Sequence, residues 1–298
     1  MDKKRVATMQ KRTVFYTTVL SGLLVVFLSG ALLAGGNWSS EQRRTLIQKI
    51  GLPAPRHGGI YVVAHRGCHK GIPENTLPAY RKAAEIGVDF VEIDVRTTRD
   101  GHLVSCHNAT IDKYVPGKTG RIHDLTLAEL EKIDVGKRMG PQWANTPIPT
   151  LEQIFQTVQG RCGIYFDLKE TPIRKLIKMV HRYKMEKQVL WYSPFVRVNM
   201  FRKLRELCPA CLPLPDPGPS WLLPVLLKIE HPPVVASTYD NCSRNFAEKC
   251  HAAGVLVIVD EDKGGPQEWQ KMVQWGVDGI QTDEPEGLMG FLEKNVVQ

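Results

Sequence analysis

Short apolar runs alternate with amphipathic segments through most of the chain. The run "IYVVAH", which begins at residue 60, leads into a glycine-containing turn, and "TLPAYRKAAEIG" follows with helical spacing and a final glycine. "FVEIDV" then has the composition of a buried strand. The same alternation continues to "DGIQTD" and "EGLMGFLEKN" near the end of the chain. This pattern predicts parallel strands joined by helical crossovers.

The number of strand-like runs indicates the type of sheet. About eight of them lie between residues 60 and 282, which predicts an α/β fold of the closed TIM (β/α)₈ barrel type. An open doubly wound sheet is the alternative, but no GxGxxG sequence follows the first strand. Residues 108–150 interrupt the alternation and are too long for a simple loop. They are predicted to be an insertion after the third strand.

The amino-terminal part of the chain has a different character. Residues 13–35 carry no charged side chain, and about 20 helical residues cross a bilayer core. A basic tail, residues 1–12, precedes them. This predicts a single-pass membrane signal-anchor with a cytoplasmic amino terminus and a catalytic domain on the lumenal or extracytoplasmic side. Cleavage near the small residues Ser29 to Ala31 is the alternative and would give a secreted protein.

The rest of the chain divides at residue 58. Residues 36–58 combine glycine, proline and charged residues, which predicts a linker, and residues 59–298 form the predicted barrel. Half of the formal net charge of +8 comes from the first 12 residues, where five lysines and arginines face one aspartate. Since the chain also lacks aromatic-and-basic RNA motifs and zinc-finger spacing, no nucleic-acid partner is expected.

The seven cysteines do not form a recognisable framework. Their number is odd and their spacing is irregular, so no disulfide scaffold is predicted. Cys208 and Cys211 form a CxxC pair, but a zinc site would need a second pair and a redox motif would need a thioredoxin-like context. Packing positions are therefore expected for most of the cysteines.

Polar and charged side chains end several of the predicted strands. In a TIM barrel the carboxyl ends of the strands form the functional site. The candidates by strand are His65 and Arg66 after the first, Glu92 and Asp94 in the second, His107 after the third, and Asp167 and Lys169 at the fourth. All these positions are predicted to meet at one end of the barrel.

Glu92 and Asp94 are two residues apart, so strand alternation points both carboxylates to the same face. Two inward carboxylates repel each other and lose hydration unless a cation compensates them. A divalent metal ion held with Asp167 provides that charge, and an all-oxygen ligand set favours Ca²⁺ or Mg²⁺. A structural salt-bridge cluster with Arg66 or Lys169 is the alternative.

A metal ion, two cations and two histidines around one pocket indicate a phosphate ester as the ligand. The positive groups would stabilise charge on the non-bridging oxygens. One histidine would accept a proton from the attacking group, and the other would protonate the leaving alkoxide. This combination predicts phosphodiester hydrolysis.

The same residues carry a family resemblance. The segment "HRGCHKGIPENTLPAYRKAAEIGVDFVEIDVRTTRDGHLVSCHN" resembles the opening of glycerophosphodiester phosphodiesterase domains, with HRG, PENT, ExD and a strand-end histidine in order. "GIYFDLK" and "GVDGIQTDEP" resemble later segments of the family. Together they extend over about residues 59–290, and an ordered set of motifs is more specific than any single one.

The resemblance implies a metal-dependent hydrolase that converts glycerophosphodiesters to glycerol 3-phosphate and an alcohol. It implies that the insertion covers the site. By matching positions, it implies His65 and His107 as the acid–base pair, Glu92, Asp94 and Asp167 as ligands of one divalent ion, Arg66 and Lys169 as phosphate contacts, and Glu74 as a residue that orients the first-strand site.

Some positions depart from the family pattern. Asn108 follows His107 where aspartate is usual, Asp167 stands where glutamate is commoner, and "VLVIVDED" lacks the usual Trp-Thr. These departures concern the substrate more than the catalytic set. Two alternatives follow: a lysophospholipase D that makes lysophosphatidic acid, with "SWLLPVLLKI" admitting an acyl chain, and a non-catalytic phosphodiester-binding protein.

Overall fold

The computed structural model describes residues 38–170, 172–261 and 264–296. The predicted basic tail and membrane anchor, with the first two residues of the predicted linker, lie outside these ranges. Within the described residues, no helix combines the length and the apolar character that crossing a membrane requires.

Eight parallel strands form a nearly closed barrel, with a ninth, antiparallel strand beside it. The strands are β1 (Tyr61–Ala64), β2 (Phe90–Thr97), β3 (Leu103–Ser105), β4 (Gly163–Asp167), β5 (Val189–Pro194), β6 (Leu212–Asp216), β7 (Val234–Thr238), β8 (Leu256–Glu261) and β9 (Gly279–Thr282). The order in the sheet is β6-β5-β4-β2-β1-β9-β8-β7, and β3 pairs with β2. This architecture confirms the predicted barrel-type α/β fold.

Most of the helices lie between consecutive strands and cover the outside of the barrel. They are α1 (Ser40–Ile50), α2 (Leu77–Ile86), α3 (Leu127–Leu130), α4 (Leu151–Val158), α5 (Ile173–Tyr183), α6 (Val198–Leu207), α7 (Leu223–Glu230), α8 (Arg244–Ala252), α9 (Pro266–Trp275) and α10 (Pro285–Asn295). Helix α2 is typical: a proline near its first turn starts it, and Gly87, at a φ of 84°, ends it.

The barrel has an inner and an outer core. Alternate strand residues point inward, so Tyr61, Phe90, Tyr165, Leu190 and Ile258 form part of a buried inner cluster. The intervening residues pack against the helices in a larger outer cluster. Phe90 therefore lies deeper in the barrel than Glu92 and Asp94 and on the same face of β2, as the alternation predicts.

The sheet is open between β6 and β7. The carbonyl of Asp216 accepts a hydrogen bond from the Phe195 N–H, so Asp216 points its backbone groups toward the β5 side. Alternation then directs the backbone groups of Pro213 and Pro215 toward β7. Because proline has no N–H, β6 cannot donate ladder hydrogen bonds at these positions. This explains why no pairing joins these two strands in the part of the chain described.

Two strand predictions need correction. The third predicted strand, β3, is a short antiparallel partner of β2 and not a barrel strand. The segment "LPLPD", which forms β6, was not predicted as a strand because its two prolines are rare in sheet interiors. The predicted insertion, residues 108–150, follows β3 and contains α3 and three 3₁₀ turns. It has its own small core, which includes Ile111, Tyr114, Ile122, Leu130 and Ile133.

The prediction of a linker at residues 36–58 is wrong for the segment that forms α1. Ser39 caps this helix in a reciprocal capping box with Gln42, and Gly51 ends it in the left-handed conformation. Ile47 and Leu52 are buried in the inner barrel cluster. Helix α1 is therefore part of the folded barrel domain.

All seven cysteines are buried, as expected of packing residues, and one pair of them is also joined by a disulfide. Cys208 and Cys211 form a disulfide. The other five, Cys68, Cys106, Cys162, Cys242 and Cys250, are free thiols in the core. The CxxC pair thus joins the end of α6 to the start of β6.

Candidate functional site

The turn after β1 brings a main-chain donor to the site. Gly67 has a φ of 81°, and a Cβ there would lie 2.8 Å from the carbonyl carbon of Ala79, so only glycine fits this close approach. Arg66 also has a positive φ, 53°. The turn directs the Arg66 N–H to Oε2 of Glu92 at 2.8 Å.

Glu92 is almost completely buried, with 1% of its surface exposed. Its Oε2 accepts the Arg66 N–H, but Oε1 is buried without a hydrogen-bond partner. Burial raises the pKa of Glu92, and the negative charge of Asp94 raises it further. A bound cation would remove both penalties.

Asp94 is held by a residue that sequence reasoning did not assign. The side-chain amide of Asn75 donates to Oδ2 of Asp94 at 2.8 Å. The hydroxyls of Tyr80 and Ser105 donate to Oδ1 of Asn75 at 2.7 and 2.8 Å, which fixes the orientation of the amide. Asn75 stands beside Glu74 in the "PENT" motif. The motif is recognisable in the sequence, but it does not reveal that Asn75 positions Asp94.

Asp167 lies next to Asp94, not two strands away. β2 pairs directly with β4, and Asp94 and Asp167 are partners in its register. Ligand oxygens of Glu92, Asp94 and Asp167 all lie within 4.8 Å of one another. The Lys169 ammonium is 3.0 Å from Oδ1 of Asp94 and 2.6 Å from Oδ2 of Asp167. The structure therefore brings together the three predicted metal ligands and one predicted phosphate contact.

The unpartnered Oε1 of Glu92 indicates whether the three carboxylates fit a metal ion. An acceptor without a donor in a group of three carboxylates is the arrangement that a hard cation stabilises. Arg66 adds a weaker interaction, with Nε 3.7 Å from Oδ2 of Asp94. The donor set consists only of oxygens and so fits Ca²⁺ or Mg²⁺.

His65 pairs with a carboxylate at the end of the last strand. Its Nδ1 donates to Oδ1 of Asp283 at 2.7 Å. Burial, the largest influence, lowers the pKa of His65, but the Asp283 hydrogen bond and the charges of Glu92 and Asp260 outweigh it and raise the pKa to about 9. Asp283 lies in the segment "GVDGIQTDEP" and has no function assigned from the sequence.

His107 makes a different pair. Its Nδ1 is 3.0 Å from Oδ1 of Asn108, the residue that departs from the family pattern. The Arg96 side chain fixes the backbone here by donating to the carbonyls of Cys106 and His107 at 2.9 and 2.5 Å. The amide oxygen of Asn108 can only accept a hydrogen bond, so Nδ1 of His107 carries a proton, and Nε2 is the acceptor when the ring has no second proton.

Glu74 contacts the arginine. Its Oε2 accepts from Nη1 of Arg66 at 3.2 Å, and it does not line the cavity among the described residues. This contact agrees in position with the orienting function that the resemblance implies, which stays a prediction.

A cavity of about 220 Å³ opens at these strand ends. Both histidines, Arg66, Asp167 and Lys169 line it. The other lining residues were not predicted, and they are Tyr165, Tyr192, Asp216, Ala236, Ser237, Thr238, Asp260 and Gln281. All but Ser237 stand at inward strand positions, but the strand that carries Asp216 is not predicted from the sequence.

The chain resembles known proteins over most of its length. The model of the Glycerophosphoryl diester phosphodiesterase family matches residues 65–198. A glycerophosphodiester phosphodiesterase of Caldanaerobacter subterraneus subsp. tengcongensis is 32% identical over 256 residues, which cover 78% of this chain and 98% of the relative.

Solved structures agree with the fold. A putative glycerophosphodiester phosphodiesterase from Galdieria sulphuraria superposes with a TM-score of 0.69 at 26% identity, covering 78% of this chain and 97% of that one. An Oleispira antarctica phosphodiesterase in complex with the product sn-glycerol-3-phosphate superposes with a TM-score of 0.65 at 22% identity, covering 78% and 96%.

The barrel, its strand-end site and these relatives define a phosphoric diester hydrolase, which confirms the predicted enzyme class. The chain belongs to the glycerophosphoryl diester phosphodiesterase family.

Proposed function

We propose that this protein hydrolyses glycerophosphodiesters to glycerol 3-phosphate and an alcohol, with one divalent metal ion and two histidines. One observation carries the proposal: Oε1 of Glu92 is buried without a partner among three carboxylates, beside a cavity that both histidines line. The similarity to the C. subterraneus glycerophosphodiester phosphodiesterase supports the choice of substrate.

Glu92, Asp94 and Asp167 would hold the ion, Ca²⁺ or Mg²⁺. When bound, such an ion stabilises negative charge on the non-bridging oxygens of a phosphodiester. Asn75 keeps Asp94 in position through its amide, and the Arg66 N–H does the same for Glu92. Arg66 and Lys169 line the cavity and would add positive charge around the phosphate.

The hydrogen bonds of the two histidines support different functions for them. The Asp283 carboxylate stabilises the protonated ring of His65, so its Nε2–H can donate a proton to the leaving alkoxide. The Asn108 oxygen accepts from Nδ1–H of His107, which leaves Nε2 as the ring atom that can accept a proton from the attacking group. His65 is therefore the general acid in this proposal, and His107 is the general base.

The test combines turnover with direct ion binding. Purified protein is assayed on glycerophosphoethanolamine with Ca²⁺, Mg²⁺ or a chelator, and ion binding is measured by calorimetry. We expect metal-dependent release of glycerol 3-phosphate, and losses of about 10²-fold or more in kcat for His65→Ala and His107→Ala. Glu92→Gln should abolish ion binding while the far-UV spectrum stays native.

Glu293→Gln, an exposed substitution on α10, is the matched control and should bind the ion normally. Full activity in the presence of chelator, or in the absence of both histidines, would contradict this mechanism. Binding of the diester without any turnover would identify a phosphodiester-binding protein.

An exposed apolar helix face favours a second candidate, lysophospholipase D. Trp221, Val225 and Ile229 are 72%, 43% and 55% exposed, and their spacing aligns them along one side of α7 and the turn before it. Val196, after β5, is 81% exposed. An acyl chain or a lipid surface would cover such side chains.

The two candidates differ in product and in response to substitution. Under the second one, lysophospholipids would release lysophosphatidic acid, and Trp221→Ser with Ile229→Ser would lower kcat/KM for them by about tenfold, the equivalent of 1.4 kcal/mol of lost binding. Hydrolysis of deacylated diesters alone would reject it.

The proposed location is a membrane, with the barrel on the lumenal or extracytoplasmic side, or outside the cell if the amino-terminal segment is cleaved. The uncharged residues 13–35 and the basic residues before them support it. Fractionation of the full chain with an alkaline carbonate wash tests it, since an anchored chain stays in the pellet. Recovery of the full-length, uncleaved chain in the supernatant would reject an anchor.

A further inference from the structure

The loops that follow β1 and β9 meet beside the cavity and bring a third histidine close to His65. His69 lies in the first loop, and Asp283 begins the second. Nε2 of His69 is 3.5 Å from Oδ1 of Asp283, the same oxygen that accepts from Nδ1 of His65 at 2.7 Å. Two imidazole rings therefore approach one carboxylate oxygen.

The contacts of Nδ1 define the hydrogen-bonding state of the His69 ring. This nitrogen lies 2.9 Å from the carbonyl oxygen of His65 and 3.3 Å from that of Gly67. Carbonyl oxygens only accept hydrogen bonds, so Nδ1 carries a proton. Nε2 faces a carboxylate, which repels a lone pair and attracts an N–H. The ring is thus placed to donate to the turn with one nitrogen and to Asp283 with the other.

Asp283 gains from a second partner because its side chain is 43% exposed. Holding one conformer of such a side chain costs conformational entropy. Burial is the largest influence on the pKa of Asp283 and raises it. The hydrogen bond and charge of His65 lower this pKa, the charges of His69 and Arg66 lower it further, and the net shift is downward. His69 therefore helps to stabilise the ionised carboxylate beside His65.

The adjacent residues form a second link between the same two loops. Nζ of Lys70 is 2.8 Å from Oε2 of Glu284, and these side chains are 75% and 36% exposed. A surface ion pair of this kind contributes little to stability. The side chain of His69 is only 19% exposed and contacts the carboxylate that holds His65. Lys70 therefore offers a matched control for His69.

We propose that His69 is a positioning residue for the hydrolysis proposed above. It holds Oδ1 of Asp283 against Nδ1 of His65, so that Nε2 of the His65 ring stays available to protonate the leaving alkoxide. His69 does not line the cavity in the part of the chain described, so it acts through Asp283 and not on the substrate. This function rests on the proposed reaction and adds the residue that orients its general acid.

Two conservative substitutions separate this function from support of the turn. The amide nitrogen of asparagine lies near the position of Nδ1, and that of glutamine lies near the position of Nε2. His69→Asn therefore keeps the donor to the turn and loses the donor to Asp283, whereas His69→Gln does the reverse. On glycerophosphoethanolamine, His69→Asn should lower kcat by about tenfold with KM unchanged, and His69→Gln should keep at least about half of the wild-type kcat.

The leaving group shows whether His69 acts through the general acid. p-Nitrophenolate leaves without being protonated, whereas the alkoxide of ethanolamine needs a proton. On the p-nitrophenyl diester of glycerol phosphate, His69→Asn should therefore lose less than about threefold in kcat, and the loss in His65→Ala should also be smaller than on the ethanolamine diester. Lys70→Met, the control, should match the wild type on both diesters.

The outcomes are distinguishable. The positioning function is rejected, and the hydrolase proposal stands, if His69→Asn keeps the wild-type kcat on the ethanolamine diester or loses as much on the p-nitrophenyl diester. A loss in His69→Gln as large as that in His69→Asn would reject it as well, because a donor at the Nε2 position would then be insufficient. If the wild type releases no glycerol 3-phosphate from either diester with either ion, both proposals fall.

Discussion

At the scale of single residues, the two histidines differ in the charge of their hydrogen-bond partners. His65 faces a carboxylate and His107 faces an amide, although the two rings line one cavity. A carboxylate stabilises an imidazolium more strongly than a neutral amide oxygen does, because the carboxylate carries the opposite charge. Asp283 thus gives His65 a charged partner, whereas Asn108 gives His107 a neutral one.

The pKa of His65 provides a direct prediction. In protein without divalent ions, an NMR titration should give a pKa of about 9 for His65. Asp283→Asn removes the main stabilising partner and should lower this pKa by at least about one unit. Asp240→Asn should not change it, because Asp240 is exposed and is not among the groups that shift this pKa. An unchanged His65 pKa in Asp283→Asn would contradict the assignment.

The same shift predicts a dependence of stability on pH. The folded pKa of His65 is raised above the unfolded value of about 6.5, so the folded state binds this proton more tightly. The resulting stabilisation is fully present below pH about 6.5 and is lost as the pH rises through about 9. Denaturant unfolding should therefore show the wild-type advantage over Asp283→Asn decreasing between pH 6.5 and 9. A constant advantage would contradict this linkage.

Gly67 sets the turn that presents the Arg66 N–H to Glu92. Gly67→Ala adds a Cβ 2.8 Å from the Ala79 backbone in a left-handed conformation. Gly71 has a similar φ of 73° but open space around it. We expect Gly71→Ala to cost about 1 kcal/mol in the free energy of unfolding and Gly67→Ala at least about 2. Equal costs in a urea titration would show that the close approach is unimportant.

At the scale of elements, α1 is attached to the barrel by a buried ion pair. Nε of Arg43 lies 2.6 Å from Oδ1 of Asp278, whose side chain is fully buried. Oδ2 of Asp278 pairs with His251 at 2.9 Å and accepts from the Val257 N–H at 2.7 Å. Trp38 stacks on the His251 ring at 4.6 Å. These contacts join the helix to the start of β9 and to α8.

Arg43→Met tests this attachment. It keeps much of the side-chain volume but leaves one oxygen of Asp278 without its charged partner, and we expect a loss of about 2 kcal/mol in the free energy of unfolding. Arg44→Met, on the exposed side of the same helix, is the control and should stay within about 0.5 kcal/mol of the wild type. A similar loss in both variants would indicate an effect of helix propensity.

At the scale of the whole molecule, the folded domain begins before the predicted boundary at residue 59. A chain that starts at residue 38 retains α1 and all site residues. A chain that starts at residue 53 lacks Ile47 and Leu52, whose burial is worth about 1.5–3 kcal/mol each. We expect the first to unfold like the full chain and the second to lose several kcal/mol, as measured by thermal unfolding.

Activity provides the second readout for these truncations. The residues proposed for the site lie between 65 and 283, so the chain from residue 38 should keep the kcat of the full chain on soluble diesters. Equal stability of the two truncated chains would mean that α1 contributes no net stabilisation to the barrel.

Several features could be predicted from the sequence because their causes are local. Strand alternation is enough to point Glu92 and Asp94 to one face with Phe90 below them. The repeated strand and helix periodicity is enough to indicate a barrel. The ordered motifs identify the family and the residues at the ends of β1, β2 and β4, where the carboxyl ends of parallel strands meet.

The tertiary structure decided what depends on long-range pairing. The register of β2 with β4 makes Asp167 a neighbour of Asp94, and no local pattern encodes that register. The prolines of β6 suggest a loop locally, but the pairing of this strand with β5 overrides them and brings Asp216 to the cavity. Helix α1 resembles a linker in composition until the barrel buries Ile47. The sequence by itself thus determines the chemistry near each strand end, and only the nearly closed sheet determines which side chains share one cavity.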